Sequence, residues 1–218
     1  MEIKIVGTSH ISKDSVKEIK YQISEFKPDI VCVELDVHRY KSLFNKTTRK
    51  FKLSQISKLG LFGFLFYLIG SISQKVLSRK VGSKPGIDMR AAIVEAKRSD
   101  AKVALIDQDI SITLRNLSKQ VPFPEKLKLF GYVLFGSVIG KKRIEFDLKS
   151  VPKDALIKTL VSELKHKFPN FYKVLVEDRD KYMQKQVKVI SEKFPKSRIL
   201  VIVGAGHKSS LIKFVSKL

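Results

Sequence analysis

The chain has 218 residues, 44% of them hydrophobic, and its 43 Lys and Arg against 21 Asp and Glu leave a formal net charge of +22. That length supports one good core, so one domain over 1–218 with an appended lobe is expected, in anionic surroundings such as lipid headgroups, nucleic acid or an acidic partner. A single cysteine, Cys32, excludes an internal disulfide and a cysteine-based zinc site.

Residues 2–8 (EIKIVGT) read as a strand. No basic leader precedes it, which predicts a cytoplasmic address. A helix follows over about 13–26, with Ser12 as N-cap and Val16, Ile19 and Ile23 as its buried stripe. Pro28 breaks that helix, and DIVCVEL (29–35) is a second strand, apolar nearly throughout as in a sheet covered on both faces. Cys32 lies inside this run, so a buried structural thiol is expected. After the turn Lys84-Pro85-Gly86, residues Met89 to Ser99 are helical by composition, and AKVALID (101–107) is a third strand. A helix carrying Leu156, Leu160 and Leu164 follows, then another over about 171–192. RILVIVG (198–204) is the last strand, and SSLIKFVSKL closes the chain as a helix.

This alternation predicts an α/β fold: a layered, mostly parallel or mixed central sheet with helices on both faces. Two segments interrupt it. Residues 41–84 hold ten Lys or Arg and no Asp or Glu around LGLFGFLFYLIG (59–70), and 117–143 enclose LFGYVLFGSVIG (129–140) before Lys141-Lys142-Arg143. Each apolar run is shorter than the about 20 residues a spanning helix needs. Three readings stand: an inserted helical lobe packed on itself or across a homodimer, a surface facing an anionic membrane, or a lid over the site. Nucleic acid fits poorly, because the aromatics lie within apolar runs and no nucleic-acid-binding module is visible.

In parallel sheets chemistry gathers beyond the carboxyl ends of the strands. Two strands end in Gly-x-x-His: Gly7 to His10, and Gly204 to His207 with Gly206 between. If those strands are neighbours, both histidines face one site with Glu34 from the end of strand two. The glycines are expected to allow a sharp turn with unusual φ and close backbone access. Two His and a carboxylate suit a catalytic divalent ion, and the same groups without metal suit a general base with its orienting partners. VIVGAGHKSS imitates a dinucleotide fingerprint. Ser209 stands where the third glycine belongs and no second strand follows, so no nucleotide cofactor is expected.

The motifs GTSHIS, PDIVCVELDVHRY, KPGIDMRAAIVEA, KVALIDQDISITLR, EDRDKYM and VIVGAGH, in that order, resemble the TraB/PrgY pheromone-shutdown family, whose wider group includes the Tiki proteases and GumN proteins. The resemblance implies a fold like that of the erythromycin esterase and ChaN group, and a metallopeptidase-like activity. It carries His10, His207 and Glu34 over as ligands of Mn, Co or Zn. Arg39, Arg90, Arg115 and Arg179 match the family's motif arginines. Asp178 and Asp88 stand where the family commonly has Glu, and Gln108 where Arg is frequent after Asp107. PrgY-like relatives continue into membrane-spanning segments, so a soluble domain of a membrane-anchored protein is also implied.

The function expected is metal-dependent hydrolysis of peptides, a signal or pheromone peptide among them, with His10, Glu34 and His207 holding the ion. Glu34 could instead serve as general base. Arg179 and Arg90 are the candidate oxyanion or substrate contacts, with Arg39, Arg115 and Asp178 as further substrate-binding candidates. The alternative is a non-catalytic protein that sequesters a peptide at a membrane surface.

Overall fold

Four short apolar runs lie side by side as parallel strands: β1 (Glu2–Thr8), β2 (Ile30–Val33), β3 (Lys102–Leu105) and β4 (Arg198–Gly204). The computed structural model describes residues 1–8, 13–44, 59–68, 70–71, 86–139 and 154–218. The sheet order is β1-β4-β2-β3. The two central strands are apolar on both faces: all four residues of β2 and six of the seven in β4 are buried. The edge strands expose Lys4 and Lys102, and such charges discourage edge-to-edge pairing with another chain.

Period two divides the sheet into two cores. Val31, Val33, Leu200 and Ile202 face α1 (Lys13–Phe26) and the helix Ile87–Arg98, where Ile19, Ile23, Ala92 and Ala96 are buried. Cys32, Ile199, Val201 and Val203 face the opposite layer, made by the helices Asp178–Lys193 and Ala205–Val215 through Met183, Val187 and Leu211. The remaining helices, in chain order, are α2 (Val37–Phe44), α3 (residues 59–68), α5 (Ile110–Gln120), α6 (Phe123–Ile139), α7 (Asp154–Lys167) and α8 (Pro169–Tyr172). Ile87–Arg98 is therefore α4, Asp178–Lys193 is α9 and Ala205–Val215 is α10.

The fold class agrees with the expectation, and the sheet is wholly parallel. Several boundaries differ. The helix expected over 171–192 is α8, a π-helical turn (Lys173–Glu177) and α9 in succession. The closing helix begins four residues earlier than read, at Ala205 rather than Ser209. The polar clusters after β2 and β3 contain α2 and α5, which composition did not reveal. Ser12, Lys84 and Pro85 lie outside the described residues, as do the side chains of Leu156 and Leu160.

A third apolar cluster stands apart from the sheet. Leu59 and Phe66 of α3 meet Leu114 and Leu117 of α5, Val121, and Val174 of the π-helical turn, with Phe130 of α6 against them. Among the described residues, no helix is long and apolar enough to cross a membrane.

Cys32 is fully buried at the sheet centre, and burial pushes its thiol up to about 12. Folded protein at mildly alkaline pH should therefore give no fast reaction with a thiol-specific disulfide reagent, whereas guanidinium-unfolded protein should titrate its single thiol at once. Rapid labelling of the folded chain would place Cys32 outside this core.

Candidate functional site

The last strand of the sequence is second in the sheet. β4 lies between β1, where Thr8 stands level with Gly204, and β2, where Val33 stands level with Ile202. The chain leaves β1 toward the layer of α1 and leaves β4 toward the layer of α10, on opposite faces. Neighbouring parallel strands whose connections diverge in this way open a crevice at their carboxyl ends. The two Gly-x-x-His segments leave from its two sides. His10 falls two residues past Thr8, outside the described residues.

Neither strand-end glycine uses the left-handed region. Gly204 has φ −60° and ψ 144°, and the positive-φ glycines among the described residues are Gly60 and Gly86. Close approach is what Gly7 provides: a Cβ there would lie 3.3 Å from the Ala205 Cα and 2.9 Å from the Lys208 Cδ. The first turn of α10 therefore presses against the end of β1. Gly206 lies in that same turn.

Every carboxylate buried among the described residues lies along this edge: Glu34, Asp36, Asp88, Asp107 and Asp180. Arg179 holds two of them. Its Nη2 donates to Glu34 Oε1 in a very short contact and to Asp107 Oδ2 at 2.7 Å, and its Nε reaches Asp107 Oδ1 at 3.2 Å. Burial by itself would lower the Arg179 pKa, but the Glu34 and Asp107 charges outweigh it and raise it. The guanidinium is thus charged at any working pH. Arg39 extends the array, with its Nε 2.9 Å from Asp36 Oδ2 and its Nη2 on Asp107 Oδ2. Asp36 Oδ1 in turn accepts the His38 and Arg39 N–H groups and so caps α2.

Glu34 Oε2 accepts the Gly204 N–H at 2.5 Å, at the positive end of α10. His207, third residue of α10, is buried between two carboxylates. Its Nδ1 lies 2.7 Å from Asp180 Oδ1 and its Nε2 lies 3.5 Å from Glu34 Oε1. A carboxylate only accepts, so Nδ1 carries a proton, and in the neutral ring Nε2 is the bare nitrogen turned toward Glu34. On the β1 side, Thr8 Oγ1 donates to Asp88 Oδ2 at 2.5 Å, tying the strand that leads to His10 onto the start of α4.

The structure brings Glu34, Arg39, Arg179 and His207 together. Asp178 is half-buried at the first position of α9, two residues before Asp180. Arg90 is exposed, its guanidinium 5.6 Å over the Phe44 ring, and Arg115 is exposed on α5. Asp180, which contacts His207, is the site carboxylate that was not among the candidates named from sequence. Its signal was helical spacing: Asp180, Met183 and Val187 share the buried face of α9.

Among the described residues, no three of His, Cys, Asp and Glu are arranged to hold a metal ion. Two donors are. Ligands about 2.1 Å from a tetrahedral ion stand about 3.4 Å apart, and His207 Nε2 and Glu34 Oε1 are 3.5 Å apart. Asp180 behind Nδ1 completes the carboxylate–histidine arrangement that usually backs a metal-bound imidazole.

A model of the TraB/PrgY/gumN family matches residues 2–213. An uncharacterized protein of Methanocaldococcus jannaschii is 35% identical over 100% of this chain and 54% of its own length. TraB domain-containing proteins of Mus musculus and Homo sapiens are 26% and 24% identical, each over 97% of this chain and 62% of its own length. The chain thus spans between half and two thirds of the curated relatives it matches.

Replacing Arg179 by Leu would leave buried carboxylates without their central cation. Urea denaturation of Arg179→Leu should show a loss of about 3–5 kcal/mol, the usual cost of breaking a buried ion pair. A loss under about 1 kcal/mol, the range of exposed pairs, would show these carboxylates to be solvated.

Proposed function

The chain belongs to the TraB/PrgY/gumN family, and we propose that it is a metal-dependent hydrolase of the metallopeptidase kind, acting on peptides. The observation that supports this most is the buried chain Asp180–His207–Glu34, which sets His207 Nε2 3.5 Å from Glu34 Oε1, a distance suited to one shared ion. His207 and Glu34 would hold that ion, with His10 as third ligand from the neighbouring strand. A bound divalent ion supplies Lewis acidity toward a peptide carbonyl and lowers the pKa of a coordinated water.

The protein's own groups have separable tasks. Asp180 fixes the tautomer and direction of the His207 ring. Arg179 and the Gly204 N–H fix both oxygens of Glu34, so the carboxylate cannot swing away. Arg179 makes four hydrogen bonds to Glu34, Asp107 and the Leu175 carbonyl, which makes it a positioning residue in this reading. Arg39, with its side chain 35% exposed, is the more accessible guanidinium for a substrate carbonyl or carboxylate. A second reading, capture of a peptide without cleavage, is favoured by one observation: both Glu34 oxygens are already engaged, which weakens Glu34 as a general base.

Calorimetry with Mn, Co and Zn should give stoichiometric binding to the wild type, loss of binding in His10→Ala and His207→Ala, and affinity about 10–100-fold lower in Asp180→Asn. No binding by the wild type would overturn the metal site. Peptide-library cleavage by the loaded protein, abolished in Glu34→Gln, supports hydrolysis, whereas retention of peptides uncut would favour capture.

A further inference from the structure

We propose that the outer face of the helical lobe, centred on Phe123 and Leu127 of α6, is a docking surface for an anionic lipid bilayer. This inference does not rest on the hydrolase reading. The lobe has an adequate core of its own in Leu59, Phe66, Leu114 and Leu117, so its outward apolar residues are not needed for folding. Phe123 and Leu127 are 62% and 63% exposed and one helical turn apart, and Leu61 is 58% exposed. The Phe62 ring packs edge-on against Phe123 at 5.9 Å, which joins α3 to α6 at this place. One turn beyond Leu127, a Cβ on Gly131 would meet nothing within 4 Å, so the face continues open along the helix. Single exposed apolar side chains are ordinary, but large ones spaced one turn apart along an open helix face mark an interaction surface.

Charge selects the occupant. Exposed Lys128 follows Leu127 on α6, and exposed Lys167 sets its Nζ 5.7 Å over the ring of Tyr132. By sequence, the stretch 41–84 that contains α3 carries ten Lys or Arg and no acid, and Lys141-Lys142-Arg143 follow α6 closely. A second copy of the chain would itself carry a net +22, whereas a bilayer with anionic headgroups brings the opposite sign. Apolar residues flanked by Lys and Arg are the chemistry of helices that lie in the membrane interface. Among the described residues no helix is long and apolar enough to cross a membrane, and the contact proposed is with the bilayer surface. Val174 of the lobe core is five residues before Arg179, and docking there would hold the strand-end site close to the lipid surface.

Co-sedimentation with phosphatidylcholine vesicles, with and without phosphatidylglycerol, tests this on the wild type and on Phe123→Ser/Leu127→Ser, which removes apolar area without altering charge. Wild type should sediment with the phosphatidylglycerol vesicles alone. The double variant, with unchanged circular dichroism, should bind them about tenfold or more weakly at physiological salt. Equal binding by the two proteins would reduce the interaction to charge attraction and overturn the docking face, as would no binding by either. A wild-type dimer in sedimentation velocity that the double variant abolishes would assign the face to a second copy and overturn the lipid.

Discussion

A buried guanidinium organises this molecule. Arg179, from the first turn of α9, reaches across the strand ends to Glu34 after β2 and Asp107 after β3. It offsets the charge of both buried carboxylates and is offset by them in turn. Arg39 and Asp36 widen the pair into a chain that reaches the start of α2. Through these contacts one side chain sets where β2, β3, α2 and α9 stand relative to each other. It also leaves Asp180, one residue on, facing the ring of His207.

Topology explains why the chemistry is distributed along the sequence as it is. The chain lays down β1, β2 and β3 first, and β4 enters last between β1 and β2. Segments nearly two hundred residues apart thereby become adjacent, and their helices depart to opposite faces. The crevice at that division is flanked by Thr8 with Asp88 on one side and by Glu34, His207 and Asp180 on the other. In a chain with an excess of 22 positive charges, the buried carboxylates are concentrated at this one edge, where Arg39 and Arg179 pair with Asp36, Glu34 and Asp107. The surface outside it suits anionic surroundings.

Much of this was legible from residue patterns. The continuous apolar run of β2 announced a strand buried on both faces, a character β4 shares, and paired Gly-x-x-His ends pointed to neighbouring strands before any register was known. What periodicity could not show was α2 and α5, because their residues read as polar clusters. Their signals were local and overlooked: Asp36 and Asp109 each accept backbone N–H groups as N-caps. Asp178 drew attention because it matched a motif position, yet Asp180 is the residue that touches His207. Helical phase decides between the two, and phase was obscured by the π-helical turn just upstream. Gly7 provides the close approach expected of it, against the first turn of α10, but neither Gly7 nor Gly204 adopts the unusual φ that was also expected.

The central claim is that His10, Glu34 and His207 converge on one ion with Asp180 behind the ring. Crystals grown with Zn or Mn and measured at the metal's absorption edge test it most directly. The account predicts one strong anomalous peak bonded to His207 Nε2 and Glu34, with His10 as the third protein ligand and Asp180 on Nδ1. Anomalous density absent from this edge, or bound by other residues with His10 turned away, would contradict it.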